Sequence, residues 1–397
     1  MKKKLYIFIS TWILLFAFVA CDDRPDNINS YYDNNDTNNT ENNNSDNHID
    51  NNDTDGTENN NSASDSIENN TPVETPVDTV LEGSITTNIL LTADKIWSLE
   101  GVVSITSGAT LTIEAGTTIA GDENTYLIID KNSKIMAEGT DTKPIIFTST
   151  KVALDGSVSA SGQWGGLAII GNAGNAQVEP YEANTAFTAS STNLQDNSGI
   201  LRHVKILHSG LEIAEDKKIN GLSLVGVGSG TTIEEITVDF SSADGIQIWG
   251  GTVNLTNIDI QNCADDYLDI DDGYSGTISK LFITQNGGKA GIEISGQTSP
   301  SIDAVTITQN QSEKEGLIFF DGDGAGGHFT YSIFNDNTDN GYGAIHALGL
   351  ADIANTSFTN ILLMGNSADN PFTQEENTDG SAQALEDKFD LGSDNLK

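Results

Sequence analysis

One phrase returns through the middle of this chain at a nearly fixed interval. Gly221-Leu222-Ser223-Leu224, Gly245-Ile246-Gln247-Ile248, Tyr267-Leu268-Asp269-Ile270, Gly291-Ile292-Glu293-Ile294 and Gly316-Leu317-Ile318-Phe319 begin 24, 22, 24 and 25 residues apart. Each alternates apolar with polar, the period of a strand with one buried face. A second motif follows each time: Ile233-x-x-Ile236-x-Val238, Leu255-x-x-Ile258-x-Ile260, Ile278-x-x-Leu281-x-Ile283, Ile302-x-x-Val305-x-Ile307. Asn286 and Asn310, also 24 apart, end two of these segments as a stacked polar ladder at a turn would. Short strands at this spacing could build a sandwich. A near-constant unit with its apolar face at the same offset instead marks a solenoid, each turn burying its face on the next. The fold class predicted is all-β, a parallel β-helix. Thr110 to Thr117, Tyr126 to Ile129 and Pro144 to Phe147 fit the same pattern upstream. The domain is placed at 81–366, roughly a dozen rungs at about 24 residues each.

The first eighty residues read differently. Lys2-Lys3-Lys4 precedes an apolar run from Leu5 to Val19, and the chain turns polar after Cys21. This is a secretory signal over 1–20 rather than a spanning helix. Phe18-Val19-Ala20-Cys21 resembles a bacterial lipobox, which implies a lipid-modified Cys21 and firm membrane anchoring through several acyl chains. Asp22-Asp23 resembles the acidic surface-export signal of Bacteroidota lipoproteins. An outer-membrane protein facing the exterior is expected, with a periplasm-facing one as the alternative. Residues 22–70 hold 17 Asn, and 15 acidic residues against Arg24 alone lie between Asp22 and Val80. Such a segment buries too little apolar surface to offset its ordering entropy, so 21–80 is predicted to be a disordered tether. Its ends would lie roughly 40–45 Å apart. Residues 367–397 are a polar tail or cap, with a short helix around Ala382 to Phe389.

Charge excludes one class of partner. The chain has 58 acidic and 18 basic side chains, a formal net charge of −40. Arg24 and Arg202 are its only arginines. Nucleic-acid binding needs clustered Lys and Arg, so none is expected. Two Cys cannot make a disulfide framework. A monomer is expected.

The densest ionisable run is Asp265-Asp266-Tyr267-Leu268-Asp269-Ile270-Asp271-Asp272. With Leu268 and Ile270 inward, Asp269 and Asp271 face outward. Neighbouring rungs would add Gln247, Trp249 and Glu293 to that patch, each about 4.8 Å from the next. Stacked carboxylates invite a hard cation, so Asp269 and Asp271 are candidate Ca²⁺ ligands. Trp249 beside carboxylates could also hold a sugar ring. As an enzyme, the chain would use pairs among Asp269, Asp271 and Glu293 as the two carboxylates of a glycoside hydrolase. A polyuronate lyase would need a basic residue too, and Lys280 and Lys289 are the nearby ones. A solvated acidic face with no function is the plain alternative. Other motifs fail: Asp269 to Gly273 lacks the later EF-hand positions, and Gly322-x-Gly324-x-x-Gly327 has no βαβ context. His203 and His208, five apart, face opposite ways on one strand, and Cys263 reads as a packed core thiol.

Gly108 to Thr117, Gly162-Gln163-Trp164-Gly165-Gly166-Leu167 and the span Asp244 to Gly276 resemble a family of bacterial β-helix lipoproteins in the pectin-lyase-like superfamily, frequent in Bacteroidota. The likeness covers about 85–366. It implies a right-handed helix and lends no reaction. Relatives often carry paired Asp where this chain has Ala243-Asp244. The function expected is a lipid-anchored, non-catalytic glycan-binding or adhesion module, with Ca²⁺ as the candidate cofactor and membrane and polysaccharide as partners. The alternatives are a polysaccharide-degrading enzyme and a structural partner of another envelope protein. Val178 to Asn197, the longest insertion, could wall a groove.

Overall fold

The computed structural model describes residues 79–156, 160–174, 193–214, 217–311, 315–322, 324–339, 341–348, 355–366, 370–374, 380–392 and 394–396. Signal, tether and Cys21 lie outside them, as does most of the Val178 to Asn197 insertion.

The described chain is a parallel β-helix whose strands join one 25-stranded sheet. Every pairing in it is parallel, as a strand that returns by a full coil must be. Coiling is right-handed, the sense parallel crossovers take. Each coil has three faces. Face one stacks Leu167–Ile170, Leu222–Val225, Ile246–Trp249, Leu268–Asp271, Ile292–Ser295 and Ile318–Asp321 in register. The strands Thr232–Asp239, Asn254–Gln261, Thr277–Asn286 and Ser301–Gln311 supply both remaining faces by bending in the middle.

That bend explains the spacing i, i+3, i+5. Ile233, Ile236 and Val238 are all buried, and Glu235 between the first two has φ +56°. One residue in the left-handed region turns the strand and returns the next side chain to the core. The corner repeats rung by rung at His203, Glu235, Asn257, Lys280, Ala304, Tyr331 and Asn360. What reads in sequence as one strand is therefore two faces of the coil.

The recurring glycine has a steric cause. A Cβ at Gly221, Gly245 or Gly291 would lie 2.6–2.7 Å from a carbonyl oxygen of the next rung, closer than stacked backbones allow. Trp164, in the Gly-Trp-Gly-Gly segment, is fully buried and donates from Nε1 to the Leu207 carbonyl at 2.8 Å. The asparagine ladder is present and longer than the sequence suggested. Asn262 donates to Asp239, Asn286 to Asn262, Asn310 to Asn286 and Asn337 to Asn310, at 2.8–3.0 Å.

The fold continues past 366. Phe372–Gln374 adds a strand to face one, and the helix Ser381–Leu391 seats Leu385 and Phe389 on the end of the core. Phe389 meets Phe358 and Phe372 with ring centroids 5.8 and 5.6 Å apart. Leu385 and Phe389, four apart on that helix, place one apolar face against the core.

Candidate functional site

The outward side chains of face one change character along the stack. Ile128, Ala168, Ile170 and Val225 form a small apolar cluster, and Trp249 packs into it at 7% exposure. The next rungs are acidic. Strand register sets Gln247 beside Asp269 and Asp269 beside Glu293, with Asp271 beside Trp249. Alternation along each strand sends these outward while Ile246, Ile248, Leu268, Ile270, Ile292 and Ile294 fill the core.

The turn before each strand adds a second row. Asn220, Asp244, Asp266 and Ala290 occupy the same place on successive rungs. Asn220 Oδ1 accepts the Asp244 N–H at 3.1 Å, Asp244 Oδ1 that of Asp266 at 3.0 Å, and Asp266 Oδ1 that of Ala290 at 2.7 Å. This row is structural in origin, because it satisfies backbone donors that would otherwise be buried unpaired. It also commits one oxygen of Asp244 and one of Asp266 to a backbone N–H. The hairpin of Leu211–Ala214 and Lys217–Ile219 brings Lys218 to Asp265, whose other oxygen meets Lys289 Nζ at 2.5 Å.

Asp244, Asp265, Asp266, Asp269 and Gln247 are each no more than 7% exposed. Asp271 and Glu293 are half-buried and form the rim. The Gln247 amide donates to Asp269 Oδ2 at 2.7 Å and to Asp271 Oδ2 at 3.2 Å, and it contacts Asn220 through its oxygen. Asp269 Oδ1 is buried with no hydrogen-bond partner.

Such burial sets the protonation states. Desolvation raises the Asp269 carboxyl well above the usual range, and Asp271, Asp244, Glu293 and Asp266 push it the same way. Asp244 is raised by burial and then by Asp266 and Asp265. Burial lifts Asp266 to about 6 and Glu293 to about 11, the latter also through Asp266, to which it hydrogen-bonds. Glu293 therefore holds a proton at neutral pH and shares it with Asp266. Asp265 goes the other way: burial would raise it, but Lys218 and Lys289 hold it low.

The structure thus gathers Gln247, Asp269, Asp271 and Glu293 on one patch, and it places Trp249 outward on the same face with a packed ring that offers little open surface to a sugar. Among the described residues, two groups of three carboxylates have oxygens that all lie within 4.8 Å of one another: Asp244, Asp265 and Asp266, and Asp266, Glu293 and Glu315. Reading the sequence missed Asp244, Asp266 and Lys218 as members. The first two carried a signal, since 220, 244 and 266 follow the same 24 and 22 intervals as the strand phrase; Lys218 carried none, because its reach depends on the hairpin. Lys280 stands in the corner between the other two faces, away from the acidic patch. His203 is at that corner too, 3.3 Å from Asp141 and 2.5 Å from Glu235, beside a groove of about 320 Å³. His208 stacks on Phe240, 5.3 Å between centroids, so the two histidines stand apart. Cys263 is buried in the core, and burial raises its thiol. Asp321 ends one strand and His328 begins the next, with no helix between them among the described residues.

A long parallel coil of stacked short strands is the architecture of the β-helix proteins. This chain belongs to the family described as the pectate-lyase like beta helix domain, whose model matches residues 83–339. Among solved structures it is similar to the crystal structure of Dettilon tailspike protein (gp208), at 13% identity and a TM-score of 0.26 over 75% of this chain. It spans 63% of that tailspike's length. No curated protein matches the sequence.

Proposed function

We propose that the protein is a glycan-binding module whose site is the acidic face built by Gln247, Asp266, Asp269, Asp271 and Glu293, held at the outer membrane by a lipid on Cys21. One observation carries the reading. Asp269 lies in the middle of that face with a buried oxygen that no group among the described residues satisfies. A buried acceptor without a donor costs about 1–3 kcal/mol, and sugar hydroxyl and amino groups are donors of the right kind. The family's fold supports a carbohydrate ligand, and the signal sequence supports the envelope location. The carboxylate trio Asp266, Glu293 and Glu315 is also a donor set suited to Ca²⁺, which would bridge sugar oxygens to the face.

Hydrolysis is the second reading, favoured by the protonated Glu293 beside Asp266, an acid and a base in contact. The contact itself weighs against it. A scissile bond sits between carboxylates about 5–9.5 Å apart, and these two touch.

Affinity electrophoresis of the full chain in native gels cast with different polysaccharides, with and without Ca²⁺, tests both readings. Retardation without loss of the embedded polymer is the expected result, and an Asp269→Ala/Asp271→Ala variant should run unretarded. A cleared zone would replace binding by hydrolysis. Free migration through every polymer would refute the glycan reading.

A further inference from the structure

We infer that the acidic face takes the ammonium groups of an amino sugar, so that the ligand is a polysaccharide with free amines rather than a neutral or uronate chain. The inference rests on the glycan-binding reading above and names the class of glycan.

Three observations converge on it. First, no cation is paired with Asp244, Asp266, Asp269 or Glu293 among the described residues, so burial and mutual repulsion hold their carboxyls toward the protonated forms, which a bound cation would relieve. The ion pairs in the cluster all go to Asp265, from Lys218 and Lys289. Second, Asp269 Oδ1 is an unpartnered acceptor on a side chain 7% exposed, pointing outward between Gln247 and Glu293. Third, apart from the proton that Glu293 shares with Asp266, every donor described in the cluster is an N–H. Backbone amides serve Asp244 and Asp266, the Gln247 amide serves Asp269 and Asp271, and lysine ammonium groups serve Asp265. An alkylammonium adds the same donor type, three N–H groups on one centre, together with the missing positive charge.

The competing ligands fit less well. A neutral sugar brings donors without charge. A uronate brings negative charge to a face whose two cations are already bound to Asp265. A calcium ion needs six to eight oxygens around one point. Here Asp244 and Asp266 have each given an oxygen to a backbone N–H, and Asp269 and Asp271 have each given one to Gln247. The trio Asp266, Glu293 and Glu315 gathers three oxygens within 4.8 Å of one another, at most half of those a calcium ion takes. An ammonium needs two or three of them. It would approach beside half-buried Asp271 and Glu293, the neighbours of Asp269.

The test is calorimetric titration of the full chain at pH 6 with a β-1,4-linked glucosamine pentamer and with its N-acetylated counterpart, which differ only in the amine. A chain of net charge −40 attracts any polycation, so each titration is run at about 0.15 M and about 0.5 M salt, the latter screening contacts beyond a few ångströms. The amine form should bind at least ten-fold tighter, and the preference should survive high salt. Asp269→Asn, which keeps the side chain's shape, should abolish the preference, as should Glu293→Gln, with circular dichroism confirming that both variants fold. Each substitution changes at most one charge in forty and barely alters the long-range field, so disappearance of the preference would locate it at this face. Equal or tighter binding of the N-acetylated pentamer overturns the inference, as does a preference lost at high salt or kept in both variants. Binding of the N-acetylated or neutral polymers alone would leave the glycan-binding reading standing without this one. Failure of every glycan would remove both.

Discussion

At the scale of single residues, Asp269 shows how a solenoid creates an unusual side chain from an ordinary one. On an isolated strand it would be a solvated carboxylate. Stacking places Gln247 above it and Glu293 below, and the turn row sets Asp244 and Asp266 alongside. The result is a carboxyl whose ionised form the fold disfavours. A raised carboxyl binds its proton more tightly in the native state than in the unfolded chain. Its favourable contribution is therefore complete below the unfolded value of about 3.9 and is lost as pH rises toward the native value. Asp269→Asn removes that liability while keeping shape. In urea titrations the variant should match the parent near pH 4 and exceed it at pH 8 by about 1–3 kcal/mol, the cost of leaving such a group unsatisfied. Equal stability at both pH values would show that Asp269 is not strained by its surroundings.

At the scale of the rung, the constraint is the distance between stacked backbones. Gly245 starts a strand where a Cβ would lie 2.6 Å from the Tyr267 carbonyl and 2.5 Å from the Ile260 side chain. Gly245→Ala should lower stability by about 1–3 kcal/mol, as overpacking does, with a lower urea midpoint at unchanged slope. The same steric rule helped make the fold legible, because glycine opens four of the five repeats, Tyr267 the other, and an apolar pair recurs in each at 22–25 residues. The corners were not legible. They require only one left-handed residue, and His203, Glu235, Asn257, Lys280 and Ala304 share no side-chain chemistry. The candidate site was half legible for a related reason. Gln247, Asp269, Asp271 and Glu293 sit on strands whose alternation can be read, whereas Asp244 and Asp266 sit in turns, and Lys218 arrives on a hairpin that interrupts the repeat. Trp249 could be placed on its face from sequence, but its burial depends on Ile128, Ala168 and Ile170 from distant segments.

At the scale of the whole molecule, two sources of negative charge act on stability, and they can be separated. The chain as a whole carries 58 acidic groups against 18 basic ones, and their mutual repulsion grows as carboxylates ionise. The buried face adds a second contribution. Asp266, raised to about 6, and Glu293, raised to about 11, remain protonated in the native state at pH values where the unfolded chain has lost those protons. Between pH 4 and pH 8 the native state then holds more protons than the unfolded one, so stability falls as pH rises. Asp265, held low by its lysines, contributes in the opposite sense, but only below its ordinary range. Salt distinguishes the two sources, because screening reaches exposed charges and not buried ones. Thermal melts should show the midpoint dropping from pH 5 to pH 8 in dilute buffer. Roughly 0.5 M NaCl should recover only part of that drop. The part that salt leaves behind should shrink in the Glu293→Gln variant, which has no proton to lose. Full recovery by salt in the parent would assign the whole effect to the surface and remove the energetic case for a strained acidic face.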